Sequence, residues 1–224
     1  HFTCTTATTN ANVWAGNYGW LRNTGGVVTT YTGYRVHTFL TSGTFYVDAV
    51  SGISTVDYLV VAGGAAGGDS NSNSGGGGGA GGLRYGTSFS VAAGSYSITV
   101  GAGGVRADNV RGANGGNSIF STITSTGGGG GGAQSVDEDG KDGGSGGGGT
   151  YNVGAGGASS PTTSPVQGYA GGATTAGGNA GGAGGGGAGG VGEAGSQADG
   201  SASMAGNGGI GLQNVYRTGS NVYY

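Results

Sequence analysis

The residues of this chain whose types suit chemistry are few, and their spacing does not combine them. Asp137-Glu-Asp-Gly-Lys-Asp142 matches the first half of a calcium loop, but Lys141 occupies a ligand position and no Glu closes the loop at its twelfth place. The reading for this stretch is a solvated acidic loop, and no metal site is expected. Gly140-Lys141 is not a phosphate loop, because Ser135 stands where the first Gly belongs and Asp142 where Ser or Thr belongs. Matches to Gly-x-Gly-x-x-Gly are inevitable in so glycine-rich a chain, and none follows a strand, opens a helix and precedes an acidic residue, which excludes a dinucleotide fingerprint. His1 is terminal, and His37 lies in an alternating stretch without a nearby Asp or Cys. The single cysteine, Cys4, offers neither a disulfide nor a metal pair. With no nucleophile-and-base pairing, no catalytic residue and no cofactor is expected, and the chain reads as a non-enzyme.

The elements that carry these residues are set by composition. Gly accounts for 7 of the first 62 residues and 56 of the remaining 162, so a break falls near Ala62. Val, Ile, Leu and Phe number 34 of 224, below the range of an ordinary globular core and near the signature of disorder. The formal net charge is only −3, so self-repulsion is not what would hold the chain open. One Lys and six dispersed Arg make no basic stripe, which argues against nucleic acid and anionic membrane surfaces as partners. No apolar run is long enough to cross a membrane as a helix, and no segment reads as a secretory signal. The start at His1 and the strand-like end at Val222-Tyr223-Tyr224 read as a piece of a longer polypeptide.

Residues 1–62 carry 10 of the 19 aromatic residues and read as a β-rich attachment segment. Tyr34–Leu40 and Thr44–Val50 flank Thr41-Ser-Gly43, with Gly43 placed for a positive φ, and predict a hairpin. Within residues 63–224 a second hairpin is predicted over about 87–100, from Thr87–Val91 and Ser95–Val100 around Ala92-Ala-Gly94. Ser118–Thr126 is a further β-prone stretch. No segment combines helical periodicity with caps, so essentially no α-helix is expected.

Elsewhere in residues 63–224 glycine blocks recur, and the longest has a period of three: Gly178, Gly181, Gly184, Gly187 and Gly190 keep one register free of Cβ, with Ala180, Ala183 and Ala188 in the others. Three residues per turn is the repeat of the left-handed polyproline-II helix, which has no internal hydrogen bonds. Built from Gly, such helices can pack closely enough to exchange N–H···O=C bonds with one another. The expected fold is therefore mainly β plus polyglycine II, with the N-terminal segment followed by a bundle, or sandwich, of polyglycine-II helices bearing loop insertions. The Ala, Asn and Ser positions are expected to face outward or fill edges.

If the helices run antiparallel, alternate insertions collect at opposite ends, and one end becomes a composite loop surface suited to binding. The candidate contact residues are Arg106, Arg111, Asp137, Glu138, Asp139, Tyr151, Asn152, Gln167 and Tyr169. Tyr151 and Tyr169 are the only aromatic residues between Phe120 and Tyr216, and a lone Tyr supplies amphipathic contact area at low entropy cost.

The succession Val56-Asp-Tyr-Leu-Val-Val-Ala-Gly-Gly64, Gly75 to Gly82, Leu83-Arg-Tyr-Gly86, Thr87–Val91, Tyr96–Gly104, Ser118–Thr126 and Ser160-Pro-Thr-Thr-Ser-Pro-Val-Gln-Gly168 resembles the glycine-rich domain of bacteriophage tail fibres. The glycine blocks are also similar to the polyglycine-II distal adhesins of T-even-like phages. This chain differs from those adhesins in its inserted hairpin and in the few aromatic residues of its loops. The resemblance implies an extracellular virion protein that binds a host outer-membrane protein or surface glycan and assembles with other fibre subunits, as in a homotrimer. Two other classes compete: a structural filament or virion decoration, with glycine blocks paired between chains, and an ice-binding protein. The dissimilar charged insertions argue against ice binding, which requires a regular Thr or Ala array.

Overall fold

The structure, a computed structural model, describes residues 2–8, 11–16, 23–31, 33–70, 74–134, 137–175, 180–198 and 202–224, with the backbone alone described at 2–8, 11–16, 198 and 202. It is β-rich, and the only helical element among these residues is one 3-10 turn, Ala49–Ser51. The strands are β1 (Phe2–Thr8), β2 (Ala11–Gly16), β3 (Val27–Tyr31), β4 (Tyr34–Thr38), β5 (Gly43–Val47), β6 (Thr55–Val61), β7 (Leu83–Ser90), β8 (Gly94–Thr99), β9 (Ser118–Phe120), β10 (Ile123–Ser125), β11 (Ser196–Ala198), β12 (Ala202–Met204), β13 (Gln213–Asn214) and β14 (Val222–Tyr223). They form small antiparallel sheets: a four-stranded sheet in the order β10-β9-β8-β5, and the pairs β1-β2, β3-β4, β6-β7, β11-β12 and β13-β14.

Neither predicted hairpin forms as a pair. The strands on both sides of each turn exist, but β4 pairs with β3, β5 with β8, and β7 with β6. Gly43 does not take a positive φ; it begins β5. The physical reason lies in the core. A turn reverses the chain equally well within one sheet or across a gap between two, and here crossing the gap lets both flanking strands bury apolar side chains. Phe45, Val47, Val60, Val91, Phe120 and Ile123 are buried together, drawn from β5, β6, the β7–β8 connection, β9 and β10. Phe120 is the hub: its ring lies 5.3 Å from Phe89, 6.0 Å from Tyr96, 6.4 Å from Phe45 and 6.5 Å from Tyr58, spacings at which offset and edge-to-face aromatic pairs attract. The composition break at Ala62 is accordingly not a break in strand pairing, because β5 joins β8 and β6 joins β7 across it.

The glycine-rich segments are joined by backbone hydrogen bonds at every third residue. Ala62, Ala65 and Gly68 donate to Gly82, Gly79 and Gly76, each at 2.9 Å, so these two segments run antiparallel. Gly129 and Gly132 donate to Ser145 and Gly148, both at 2.9 Å, so those two run parallel. Traced this way, the segments lie in three rows. The first holds 101–105, 62–69, 74–82, 180–190 and 205–212; the second 111–116, 126–133, 145–150, 168–174 and 191–196; the third 138–144 and 154–158.

Residues 143–150 are all buried at the centre. From this central segment Gly146 and Gly149 donate to Tyr169 and Gly172, Gly147 and Thr150 to Lys141 and Glu138, and Gly148 to Gly77. Its carbonyls accept from Gly129 and Gly132, from Gly186 and Ala183, and from Gly157. Six neighbouring segments thus surround one, and each takes a fixed donor or acceptor register.

One expectation about side chains is corrected. Ala180, Ala183 and Ala188 do not face outward but are 1%, 2% and 6% exposed. Ala183 and Gly186, three residues apart, donate to Gly149 and Gly146 of the central segment, so a second register of this block also points inward.

Phe120→Ala removes the hub of the aromatic cluster and is expected to cost about 3–5 kcal/mol, read from chemical denaturation. His37 donates from Nδ1 to the Gly25 carbonyl at 2.8 Å, stacks edge-on against Phe45 at 5.0 Å, and has a buried Nε2 without a partner, so the neutral ring fits this site and burial lowers its pKa. Above the ordinary value of 6.5 both folded and unfolded states hold it neutral; below it the unfolded chain protonates first, so stability falls as the pH drops from 6.5 towards the folded-state value. Melting temperatures of the wild type and His37→Gln at neutral and mildly acidic pH should show this loss in the wild type and a smaller one in the variant.

Candidate functional site

Hydrogen-bond direction fixes where each insertion emerges. With 62–69 taken as running upward, 101–105, 126–133, 145–150, 168–174 and 191–196 also run upward, and 74–82, 111–116, 138–144, 154–158, 180–190 and 205–212 run downward. The insertions bounded by residues 69 and 74, 105 and 111, 133 and 138, 150 and 154, 174 and 180, and 196 and 204 therefore share one end. The opposite end carries β7–β8, β9–β10, residues 158–167 and the β core.

Side chains and backbone tie the loops of the shared end together. Arg106 pairs with Asp69 at 3.1 Å and with Asp108 at 3.2 Å. Asp69 also accepts from the Asn109 amide at 3.3 Å, and this bond together with the Arg106 guanidinium holds its carboxyl below the usual range. Arg111 pairs with Asp137, joining the loop at 105–111 to that at 133–138. Thr150 donates from its backbone to the Glu138 carbonyl at 2.8 Å and from its hydroxyl to the Ser74 carbonyl at 2.7 Å. Ser74 in turn donates to the Ala180 carbonyl at 2.9 Å, and Thr175 donates to Gly195 at 3.2 Å. Five of the six loops are thus bonded to one another, and Thr175 ties the fifth to Gly195, in the segment that leads into the sixth.

Of the candidate contact residues, Arg106, Arg111, Asp137, Glu138, Asp139, Tyr151 and Asn152 lie at this end. Arg106 and Asn152 are exposed; Tyr151 is half-buried and adopts a left-handed φ of 56°. Asp139 is also committed to the scaffold: its Oδ1 accepts from the Ala155 amide at 2.7 Å, as Asp142 Oδ1 does from Ala158 three residues on, also at 2.7 Å. Two candidates lie elsewhere. Tyr169 sits towards the opposite end, and Gln167 is 1% exposed, with Oε1 accepting from the Thr126 amide at 2.9 Å and Nε2 donating to the Pro161 carbonyl at 3.1 Å. Gln167 seals the interior and is not a surface residue. The sequence reading missed Val105, Val110 and Val153, which are exposed on the loop end among its charges. Their signal was an apolar residue next to a turn, which composition alone does not separate from a small core. Among the described residues no group of three or more His, Cys, Asp or Glu could hold a metal ion, and no helix is long and apolar enough to cross a membrane.

The glycine register fits its position. Gly181, Gly184 and Gly187 donate to Ser196, Glu193 and Gly190, and a Cβ on them would stand 2.5, 1.9 and 2.2 Å from backbone atoms of Met204, Asn207 and Ile210. Those three collision partners are themselves spaced by three, as the repeat of the facing segment requires. At Gly190 the nearest atom is the flexible Cγ1 of Ile210 at 3.0 Å, and Gly178 lies outside the described residues.

A glycine-rich domain family model matches residues 40–223, spanning both the β core and the glycine rows. The chain belongs to this glycine-rich domain family. No curated protein and no solved structure matches it. In this glycine-rich domain the matched region begins just before β5, so strands on both sides of Ala62 are part of the unit.

Gly184→Ala is expected to cost about 1–3 kcal/mol or more, since backbone must move to admit the methyl group. At Gly208 the nearest atom to a new Cβ is 3.9 Å away, so Gly208→Ala should stay within about 0.5 kcal/mol of the parent. Thermal melts of the two variants give the comparison.

Proposed function

We propose that the glycine segments are left-handed polyglycine-II helices and that this protein is a non-enzymatic bacteriophage tail-fibre or tip component whose loop end binds a host surface receptor. The observation carrying the reading is the convergence of six dissimilar loops, five of them bonded to one another, at one end of a backbone-bonded scaffold. The three-residue hydrogen-bond period is that of polyglycine II, and the ordered motifs resembling phage fibre domains supply the biological setting. Exposed Val105, Val110 and Val153 beside the ion pairs of Arg106 and Arg111 give a mixed apolar and polar surface, the composition of protein-binding patches. Several copies on a fibre would convert weak single contacts into strong attachment through effective concentration. The receptor classes in this reading are an outer-membrane protein and a surface glycan, and further fibre subunits are partners in assembly.

A second reading, a structural filament, draws on the outer face of 205–212, where Ala205 and Gly208 are exposed. The deciding experiment is a pull-down of bacterial cells and outer-membrane extracts. A variant with residues 105–110 replaced by Gly-Ser is compared with one replaced at 162–166, on the opposite end, after both are shown to melt like the parent. Loss of binding in the first variant and retention in the second is the expected result. Binding indifferent to 105–110, or no binding beside concentration-dependent self-assembly, transfers the assignment to the filament.

A further inference from the structure

Asn-Gly, a dipeptide whose side chain and backbone can react with each other, occurs twice in the chain, at Asn114-Gly115 and at Asn207-Gly208. A glycine after the asparagine has no Cβ to block the approach of its amide nitrogen to the side-chain Cγ. Both asparagines are exposed, and both stand on the outermost segment of a glycine row, 111–116 in the second and 205–212 in the first.

The rows hold the two sites differently. At Asn114 every reacting group is engaged: Oδ1 accepts from the Gly130 amide at 3.0 Å, Nδ2 donates to the Asp142 carbonyl at 3.4 Å, and the Gly115 amide donates to the Gly128 carbonyl at 3.0 Å. A Cβ on Gly115 would stand 2.0 Å from the Gly63 carbonyl oxygen, so this backbone has no room to turn. At Asn207, Nδ2 donates to Glu193 Oε2 at 2.8 Å, but Oδ1 and the Gly208 amide have no partner among the described residues. Gly208 is exposed, and the nearest atom to a Cβ on it is 3.9 Å away. A free, exposed amide can lose its proton and turn onto the side chain, whereas one bonded into the rows must first be released by local opening.

We propose that Asn207-Gly208 is a site of spontaneous modification, at which the Gly208 nitrogen attacks the Asn207 side chain and the reaction loosens the outer segment 205–212 from the rows. The nitrogen gives up its proton to water or hydroxide, a bond forms from it to Cγ, and the Cγ–Nδ2 bond breaks to release ammonia, leaving a five-membered succinimide. Water then adds to either imide carbonyl, and ring opening gives aspartate or isoaspartate at 207 with no change of oxidation state. Gly206 and Gly209, three residues apart, donate to Gly182 and Gly185 at 3.0 and 2.9 Å and bracket Asn207. Isoaspartate carries the main chain through Cβ and Cγ, which adds one atom between these two bonds and breaks their common register. Either product also sets a carboxylate against Glu193 in place of the Nδ2 donor. The site is independent of the receptor reading for the loop end, and either can fail alone.

The test is incubation of the full chain in warm, mildly alkaline buffer, with peptide mass mapping of both Asn-Gly sites and hydrogen exchange on the converted product. In the folded chain Asn207 is expected to convert at least about tenfold faster than Asn114, and in guanidinium, where the rows are gone, the two should convert at similar rates. Gly208→Ala, at an open position, should slow conversion at 207 about tenfold while leaving the melting temperature close to the parent's. In the converted chain the Gly206 and Gly209 amides should exchange at least about tenfold faster than before. Equal conversion of Asn114 and Asn207 in the folded chain, a preference for Asn207 that persists undiminished in guanidinium, an Asn207 that stays intact while the unfolded chain converts, or a Gly208→Ala variant that converts as fast as the parent would each overturn the site. Unchanged exchange of Gly206 and Gly209 after conversion would overturn the loosening.

Discussion

The structure depends on how closely two backbones can approach when no Cβ stands between them. In a conventional core, buried apolar side chains drive assembly and keep main chains apart. Here the interior segments approach until donors and acceptors meet directly, and the contact is saturated by N–H···O=C bonds at every third residue. The cost is the entropy of ordering glycine. The offset comes from the number of bonds, from the penalty attached to any buried backbone group left unpaired, and from cooperation within a network in which the central segment is bonded on six sides.

Along the outside of the rows, exposed polar side chains imitate the backbone. Asn114 and Asn117, three residues apart, accept from Gly130 and Gly127 at 3.0 and 2.9 Å, supplying side-chain oxygens in the lattice's own repeat. Asp139 and Asp142 do the same for Ala155 and Ala158. Ser145, fully buried, shares its one hydroxyl proton between the Gly81 carbonyl at 2.8 Å and the Gly187 carbonyl at 3.2 Å, which reinforces the hold of two neighbouring segments on the central one. The β core then closes one end of the rows, with Phe120 locking together strands from before and after the first glycine block.

This division of labour bears directly on function. A scaffold held by its backbone places few demands on loop sequences, so residues between segments are free to differ. The loops nevertheless do not hang separately, because Arg106, Arg111, Ser74 and Thr150 join them. A joined surface presents a preformed arrangement to a partner, and preorganisation reduces the ordering cost of binding. Tyr31, Tyr34, Tyr85 and Tyr216 gather in the β part of the molecule, where side chains and not backbone determine the surface.

The sequence by itself determined the absence of an α-helical fold, the placement of strands near Tyr34, Thr44, Val56, Thr87, Ser95 and Ser118, and the Cβ-free register of Gly181, Gly184 and Gly187. These are local matters, written in propensity and in a short repeat. Only the tertiary structure decided that β5 and β8 are partners, that Ala180 and Ala183 face inward, that Gln167 is interior, and that Tyr31 and Tyr34 meet Tyr85 and Tyr216. The reason is that each of these depends on which distant segment lies alongside, and glycine segments are nearly interchangeable as neighbours. Their mutual placement is set by the count of residues between turns and by the closing of the donor and acceptor registers, and both become legible only when all rows are assembled.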